Sequence, residues 1–287
     1  MKATDLIVNP DGSIYHLKLR PEELPDLVLV AGDPGRIEMI SRNFERIEYR
    51  RKNREFVSHS GFLGGRRVLA LSTGIGPDNM DIVMNELDAL ANIDLESRTP
   101  RETHKTLTII RLGTSGTFHD DIPVGSIAIA SHGLGLDGSL HYYQALNEIT
   151  DRQLTDLFVS HSSWPDHLPT PYIIEGTRDL ISQFDQVAFR GITATGAGFY
   201  GPQGREIRLK SSFPGFLNAL AGFSHEGLRI INFEMETSSL YGLGKMLGHR
   251  VASACVVLAN RATGEYSQDV GAHVDNMIHY ILEQLSG

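Results

Sequence analysis

One arginine near the end of an apolar run is placed to hold an anion. Arg111 lies within the apolar residues Ile109–Leu112, and the small residues Gly113–Gly116 follow at once. A guanidinium suits a phosphate or carboxylate, glycines let backbone N–H groups approach it, and hydroxyls add hydrogen bonds. Ligands of open α/β sheets bind at the carboxyl ends of strands, so we predict an oxyanion site where this strand ends. The alternative is an arginine paired with a core carboxylate.

A second cation follows another predicted strand. The apolar run Leu27–Ala31 predicts a strand buried on both faces, and the turn Gly32–Arg36 follows it. The apolar residues Ile37, Ile40 and Phe44 then recur at helical spacing. The turn therefore lies at a helix N-terminus, where unpaired backbone N–H groups favour anions, and it forms a second candidate anion-binding element.

The residues around position 200 could bind a flat heterocycle. Phe199 offers an aromatic face, Gln203 an amide and Arg205 a planar cation, which together can stack a ring and read its carbonyl and N–H edge. The segment Gly196–Gly201 also matches the dinucleotide-binding pattern G-x-G-x-x-G. Because Pro202 follows instead of a helix, we predict no nicotinamide cofactor.

Two carboxylates follow a short predicted strand and precede a predicted helix. Glu234 and Glu236 flank Met235, and we expect the two carboxylates to face different sides, one toward a ligand and the other structural. The functional interpretation is a carboxylate that binds sugar hydroxyls in a bidentate manner. The alternative is a negative charge that stabilises a helix N-terminus.

The composition excludes several classes of function. The 287 residues carry a formal net charge of −9, and 41% of them are hydrophobic, as in globular proteins with a large core. Because the net charge is acidic, nucleic acid is not an expected partner. The single cysteine, Cys255, lies in an apolar run, which predicts a buried, reduced thiol in an intracellular protein. Neither a signal peptide nor an apolar run of membrane-spanning length is present, so we expect no membrane partner and a cytoplasmic location.

The spacing of the histidines does not indicate a metal site. His161 and His167 lie close together in the chain, but no cysteine, histidine or carboxylate completes a recognised ligand pattern with them. We therefore predict no zinc.

Apolar runs and helical periodicities alternate along the chain. Strands are predicted at Leu27–Ala31, in three hairpin runs within residues 45–71, through Arg111, and at Ser126–Ser131, Phe189–Ala197, Ile230–Phe233 and Val251–Ala259. Helices are predicted from Pro77 and at Asp151–His161, Phe213–Ala221, Thr237–Leu247 and Val270–Leu285, and a loop at Gly133–Gly138. This alternation predicts an α/β fold, a single domain of residues 1–287 with a central mixed β-sheet flanked by helices.

Six motifs together resemble those of a known family. In chain order they are Gly32–Arg36, Arg54–Phe56, Ser72–Gly76, Arg111–Gly116, Phe199–Arg205 and Glu234–Glu236. In type and order these motifs resemble those of the nucleoside phosphorylase I family, over nearly the whole chain. The pair Gln203 and Arg205, with Asn260–Arg261, is similar to the members that cleave uridine, whereas purine-cleaving members usually carry an aspartate after the last central strand.

The resemblance implies a complete substrate site. The implied phosphate ligands are Gly32, Arg36, Arg111 and Thr114, joined by Arg54 of a neighbouring subunit. The implied ribose ligands are Met235 and Glu236, joined by His16 of the neighbour, and the implied uracil ligands are Phe199, Gln203 and Arg205. Within this set the resemblance implies catalytic roles for Arg111, Arg205 and Glu236.

The resemblance also implies a reaction and an assembly. The reaction would be reversible phosphorolysis of uridine in pyrimidine salvage, with phosphate as co-substrate and no cofactor. Residues shared between subunits imply at least a homodimer, or a hexamer built from dimers. A monovalent cation site, for potassium, would involve Glu55, Ile75 and Asn79, although the segment Pro77–Asn79 departs from the bacterial pattern.

Two other classes of function compete with this prediction. A purine nucleoside phosphorylase of the same family would cleave a nucleoside with a different base. A nucleosidase of the family would use water instead of phosphate. Retention of three candidate phosphate arginines disfavours the nucleosidase, and the glutamine and arginine near position 200 disfavour a purine. A non-catalytic nucleotide-binding protein could keep the same pocket. Uracil release measured with and without phosphate separates these alternatives.

Overall fold

Strands and helices alternate along most of the chain in the computed structural model, which describes residues 1–184, 186 and 188–286. The strands are β1 (Leu27–Ala31), β2 (Arg46–Asn53), β3 (Phe56–Leu63), β4 (Arg66–Ser72), β5 (Ile93–Asp94), β6 (Thr99–Pro100), β7 (Thr108–Thr117), β8 (Ile127–Gly135), β9 (Tyr172–Glu175), β10 (Ala188–Thr195), β11 (Ser224–His225), β12 (Leu228–Glu234), β13 (Arg250–Asn260) and β14 (Glu265–Tyr266). The α-helices are α1 (Pro34–Ser41), α2 (Pro77–Asn92), α3 (Leu146–Ile149), α4 (Arg152–Ser162), α5 (Arg178–Ile181), α6 (Phe216–Gly222), α7 (Thr237–Met246) and α8 (Val270–Ser286).

One mixed sheet organises these elements. Its hydrogen-bonded order is β11, β12, β10, β8, β13, β7, β1, β4, β3 and β2, with β9 added on β8 and β14 on β13. Strand β1 pairs in parallel with β4 and β7, whereas β2, β3 and β4 form antiparallel hairpins. A bridge between Phe233 and Gly116 joins β12 to β7 and closes a ring of five strands, which are β7, β12, β10, β8 and β13. Strand β2 forms one outer edge of the sheet.

Amphipathic helices cover the sheet and build the core. All five residues of β1 are buried, as expected for a strand that is covered on both faces. Helix α2 buries Met80, Val83 and Leu87 on one side, and α8 buries Val274 and Ile278 at helical spacing. Each fully buried side chain of this kind contributes about 1.5–3 kcal/mol, so these faces hold the helices on the sheet. The predicted α/β fold with a mixed sheet flanked by helices is confirmed.

The sheet draws its strands from residue 27 to residue 266. These strands form one hydrogen-bonded network, and β5 and β6 pair separately as a short antiparallel hairpin. Within the described residues, none of the helices combines the length and the apolar character that crossing a bilayer requires.

The strand that carries Arg111 is longer than predicted. Strand β7 continues to Thr117, because its backbone stays paired with β13 as far as Asn260. Arg111 therefore lies in the middle of the strand and not at its carboxyl end. Its parallel neighbour β1 pairs Val30 with Arg111 and ends one residue later. The strand whose carboxyl end lies beside Arg111 is therefore β1, and not the strand that carries Arg111.

The predicted loop Gly133–Gly138 is partly wrong, since β8 continues to Gly135. A Cβ on Gly133 would lie 2.7 Å from the Cα of Ser238 in α7, and a Cβ on Gly135 would lie 2.0 Å from the ring of Tyr172. These glycines let a helix and an aromatic ring pack directly on the strand. They mark close packing and not a turn.

Candidate active site

A cavity of about 680 Å³ lies at the carboxyl ends of β1 and β12. Of the residues predicted to bind substrate or ion, its lining includes Gly32, Arg36, Ile75, Arg111, Thr114, Phe199, Gln203, Arg205, Met235 and Glu236. The other four predicted residues, His16, Arg54, Glu55 and Asn79, do not line the cavity. The structure therefore brings the predicted phosphate, ribose and base ligands of a single chain into one space.

The guanidinium of Arg111 is held by two carboxylates and a thiol. Its Nη1 lies 3.1 Å from Oε2 of Glu234 and donates to Sγ of Cys255 at 3.0 Å. Its Nη2 donates to Glu236. Gly113 is required beside it, because a Cβ there would lie 1.8 Å from Nη1. Arg111 thus lines the cavity and also forms the pair with core carboxylates that was the alternative interpretation.

Burial and ion pairing act in opposite directions on these groups. Burial opposes the charge of Arg111, but Glu234 and Glu236 outweigh it and hold the pKa of Arg111 above its ordinary value. Burial raises the pKa of Glu236, although Arg111 acts to lower it. Burial also raises the pKa of Cys255 to about 11, so its thiol is neutral at physiological pH. The predicted burial of the cysteine is confirmed.

The two glutamates point the same way, and the prediction that they face different sides is wrong. Residues two apart in an extended chain share a face, and β12 is extended up to Glu234. Glu234 accepts hydrogen bonds from the backbone N–H groups of Glu236 and Thr237, at 2.9 and 3.0 Å, so it satisfies free donors at the start of α7. Glu236 accepts instead from the N–H of Gly76 at 2.7 Å. Glu234 is therefore the structural carboxylate.

A second guanidinium approaches the same space from α1. Arg36 is buried and donates from Nη1 to the carbonyl oxygen of Leu112 at 2.9 Å. Burial lowers the pKa of Arg36, and the charge of Arg111 lowers it further. Asp33 caps the helix by accepting from the N–H of Gly35 at 2.8 Å. Arg36 and the N-terminus of α1 therefore place positive charge on this side of the cavity, which suits an anion such as phosphate, whereas Glu234 and Glu236 balance the charge of Arg111.

Phe199, Gln203 and Arg205 form one contact group in the cavity wall. Nη1 of Arg205 donates to Oε1 of Gln203 and to the carbonyl oxygen of Phe199, both at 2.6 Å. The Cζ atom of Arg205 lies 3.9 Å from the centroid of the Phe199 ring, a cation–π contact. Gly204, with φ of +65°, provides the left-handed turn between the glutamine and the arginine. The three side chains can therefore act together on one planar ligand.

Arg261 is a site residue that sequence analysis used only as a family marker. Its Nη1 donates to the carbonyl oxygen of Gln203 at 2.7 Å and its Nη2 to that of Gly204 at 3.2 Å. Burial lowers the pKa of Arg205, and the charge of Arg261 adds to this effect. Its neighbour Asn260 donates from Nδ2 to two backbone carbonyls at 2.8 and 3.0 Å, so this amide is engaged in structure. The sequence carried one signal for this role, because Arg261 is a cation that directly follows the last central strand.

The hairpin of β13 and β14 adds a wall that the sequence did not predict. Leu258, Gly264 and Tyr266 line the cavity, and Tyr266 pairs with Ala259. The side chain of Tyr266 is exposed. A strand of two residues is too short to show alternation, so no sequence pattern indicated this wall.

His16 is partly buried and Arg54 is exposed, and both lie outside the cavity of their own chain. Nδ1 of His16 lies 2.6 Å from Oε1 of Glu86, and Nδ2 of Asn53 donates to the carbonyl oxygen of His16 at 2.7 Å. Arg54 is exposed, and its Cζ lies 5.8 Å from the centroid of the Tyr15 ring. The chain does not bring either residue to its own cavity. Their predicted role in a neighbouring subunit stays a prediction.

The three residues predicted to bind a monovalent cation converge at Gly74. A Cβ on Gly74 would lie 3.1 Å from Cγ of Glu55 and 2.3 Å from Nδ2 of Asn79. The same Nδ2 donates to the carbonyl oxygen of Ile75 at 3.3 Å. A carboxylate, a carbonyl and an amide are suitable oxygen ligands for a hard cation. In this arrangement, however, Asn79 turns its nitrogen toward the carbonyl, so Glu55 and Ile75 fit the ion better than Asn79 does.

Comparisons with known proteins agree with this geometry. A family model described as the Phosphorylase superfamily matches residues 26–285. Uridine phosphorylase of Thermococcus kodakarensis is 29% identical over 261 residues, which cover 90% of this chain and 81% of that protein. Uridine phosphorylase of Haemophilus influenzae is 26% identical over 88% of this chain and 89% of its own length.

A solved structure extends the agreement to three dimensions. The crystal structure of a Trypanosoma brucei nucleoside phosphorylase, described as showing uridine phosphorylase activity, has a TM-score of 0.88 at 29% identity. The match covers 98% of this chain and 99% of that one. The family match over most of the chain, with the same overall fold, leads to one conclusion: the chain belongs to the phosphorylase superfamily.

Proposed function

We propose that the chain is a uridine phosphorylase, which converts uridine and phosphate reversibly into uracil and ribose 1-phosphate. One observation carries this proposal. Arg36 and Arg111, which suit an anion, share a cavity of about 680 Å³ with Gln203 and Arg205, which suit the edge of a planar base. The uridine phosphorylases that resemble the chain over most of its length support the same substrate.

The geometry fits a reaction in which charge separates between sugar and base. As the glycosidic bond breaks, its electron pair moves to uracil and positive charge develops on the ribose. Phosphate beside Arg36 and Arg111 attacks the anomeric carbon and balances that charge. Gln203 and Arg205 donate to the uracil oxygens, where the leaving-group charge collects. Glu236 accepts hydrogen bonds from the ribose hydroxyls and orients the sugar.

The proposal includes a homodimer in which each cavity is completed by its neighbour. The positions of His16 and Arg54 support this arrangement, since both residue types suit an anionic or hydroxyl-bearing ligand and neither lines the cavity of its own chain. A potassium ion held by Glu55 and the carbonyl of Ile75 would stabilise the loop at Gly74. We also propose a cytoplasmic role in pyrimidine salvage.

The proposed reaction is tested by its requirement for phosphate. Purified protein is incubated with uridine in buffer that contains phosphate, arsenate or neither anion, and uracil and ribose 1-phosphate are quantified. We expect uracil release only with phosphate or arsenate, because the buried arginines provide for an anionic nucleophile. Uracil release at the same rate without either anion would identify a nucleosidase. Faster cleavage of inosine than of uridine would identify a purine enzyme. Cleavage of neither nucleoside would identify a binding protein.

Replacing Arg205 by alanine tests the base site. The guanidinium donates to a developing anion, so its loss should raise the barrier by about 2–4 kcal/mol, which lowers kcat/KM for uridine by about 30- to 1,000-fold. Arg208→Ala is the matched control, because Arg208 is an exposed cation on the same loop outside the cavity lining. The melting temperatures of both variants should stay near that of the parent, since neither side chain is buried in the core. An Arg205→Ala variant as active as the Arg208→Ala variant would remove Arg205 from the site.

A further inference from the structure

Three potential metal ligands from distant parts of the chain meet outside the cavity. Asp88 lies on α2, His104 on the segment between β6 and β7, and His249 between α7 and β13. One ligand atom from each lies within 4.8 Å of the others, and the described residues contain no second group of this kind. The three residues are far apart in sequence, so no ligand spacing within one segment indicates this group.

The buried member of this group is oriented toward its neighbours. The side chain of His249 has no solvent exposure, and its Nε2 lies 3.3 Å from Oδ1 of Asp88. Within the described residues this nitrogen has no hydrogen bond of ordinary geometry. A buried ring N–H that meets a carboxylate with poor geometry is weakly satisfied, and a metal ion that replaces its proton would bind both groups.

The other histidine is held as metal-binding histidines usually are. Nε2 of His104 donates to the carbonyl oxygen of Leu247 at 3.0 Å, which leaves the lone pair on Nδ1 free. The rings of His104 and His249 are 5.8 Å apart and inclined by 30°. Because His104 is exposed, an ion can enter from solvent. Leu247 is the C-cap of α7, where the helix dipole favours a positive charge.

We propose that Asp88, His104 and His249 form a binding site for a divalent transition-metal ion, with zinc as the best match. Two imidazoles and one carboxylate are typical zinc ligands, and water would complete a tetrahedron. Calcium and magnesium are disfavoured because they prefer an all-oxygen shell. The site ties α2 to the segment before β7 and to the end of α7, so bound metal stabilises the fold at a distance from the cavity.

Metal binding changes one backbone hydrogen bond. Nδ1 of His249 accepts from the N–H of Leu107 at 3.2 Å, so the ring proton is on Nε2. Coordination through Nε2 moves that proton to Nδ1 and removes the acceptor from Leu107. The Leu107 amide should therefore exchange with solvent faster when metal is bound, although the protein as a whole becomes more stable.

The proposal is tested by zinc titration of the chelator-treated full chain in phosphate-free buffer. Calorimetry should give one zinc ion per chain, and zinc should raise the melting temperature. In the His104→Ala variant the zinc affinity should fall by more than about 10-fold. Losing only a hydrogen-bond partner of a metal ligand already costs about 10-fold or more, and here a ligand itself is lost. His161→Ala is the matched control, because His161 is also exposed and its Nε2 also lies near a single backbone carbonyl, that of Ala219 at 3.1 Å. This control should bind zinc like the parent.

Two further measurements keep the test decisive. Because His104 is exposed, the His104→Ala variant should fold. An Asp88→Asn variant whose melting temperature without zinc equals that of the parent should show the same loss of zinc affinity. Hydrogen exchange should report faster exchange at Leu107 with zinc in the parent only. Equal zinc affinity in the parent and His104→Ala, or no binding by the parent, would overturn the proposal.

Discussion

Replacing Arg111 by alanine is expected to reduce kcat/KM for uridine phosphorolysis by about 10³-fold and to lower the free energy of unfolding by about 3–5 kcal/mol. The guanidinium is buried and lies between Glu234 and Glu236, so its loss leaves two carboxylates close together without a counter-charge. It also removes one of the two cations that line the proposed phosphate site. Steady-state kinetics and urea denaturation measure the two effects separately.

The stability loss in the Arg111→Ala variant should depend on pH. Burial already raises the pKa of Glu236, and Arg111 opposes that rise, so the pKa of Glu236 should be still higher in the variant. A carboxyl group whose pKa is raised by folding adds stability that is complete below its unfolded pKa and is lost as the pH rises through its folded pKa. The destabilisation should therefore be smaller near about pH 5 than near about pH 8.

A matched variant separates charge loss from general damage. Arg208→Ala removes an exposed arginine and should change neither the activity nor the pH dependence of stability. An Arg111→Ala variant with the same destabilisation at both pH values would show that the carboxylates are not the cause. The expected increase in the barrier is several kcal/mol. If the Arg111→Ala variant kept activity within about 2-fold of the parent, Arg111 would not be part of the phosphate site.

Mixing two nearly inactive variants, Arg54→Ala and Arg205→Ala, should restore activity. If Arg54 completes the cavity of a neighbouring subunit, one site of each mixed dimer carries both substitutions and the other site carries neither. Random pairing of equal amounts makes about half of the dimers mixed, so the mixture should reach about a quarter of the wild-type activity per chain. Refolding the two chains together and assaying uracil release provides the measurement.

The control for this experiment pairs two residues that line the cavity of the same chain. In a mixture of Arg36→Ala and Arg205→Ala chains, every site lacks one arginine, so no activity should return. Native mass spectrometry shows whether mixed dimers have formed. Mixed dimers without recovered activity would place Arg54 in the site of its own chain and would remove the functional reason for a shared site.

The ligand-facing residues of single segments could be predicted because their chemistry is local. Arg111 and Arg36 are charges next to apolar runs, and a charge in such a place needs a partner or a ligand. The segment Gly196–Gly201 could be rejected as a dinucleotide motif for an equally local reason, and in the structure the next α-helix begins only at Phe216. Phe199 and its neighbours on the same loop also meet through short-range contacts.

The features that sequence analysis missed depend on contacts between distant segments. Arg261 reaches back to Gln203 across a large sequence separation. The glycines of β7 and β8 resemble turn signals, but Gly133 is small because α7 packs on it. Asp88 meets His249 only when α2 and the end of α7 are both in place. No periodicity or spacing in one segment carries that information.

The outer edge of the sheet bears on how the molecules associate at high concentration. Strand β2 could pair with the edge of another molecule, as edge strands generally can. Four charged side chains, those of Arg46, Glu48, Arg50 and Lys52, are exposed at alternate positions along it. Charges in this pattern disfavour a second strand at the edge, so the sheet is protected from fibril-like growth. Arg54, in the turn after β2, can therefore face another subunit while association stays closed and finite.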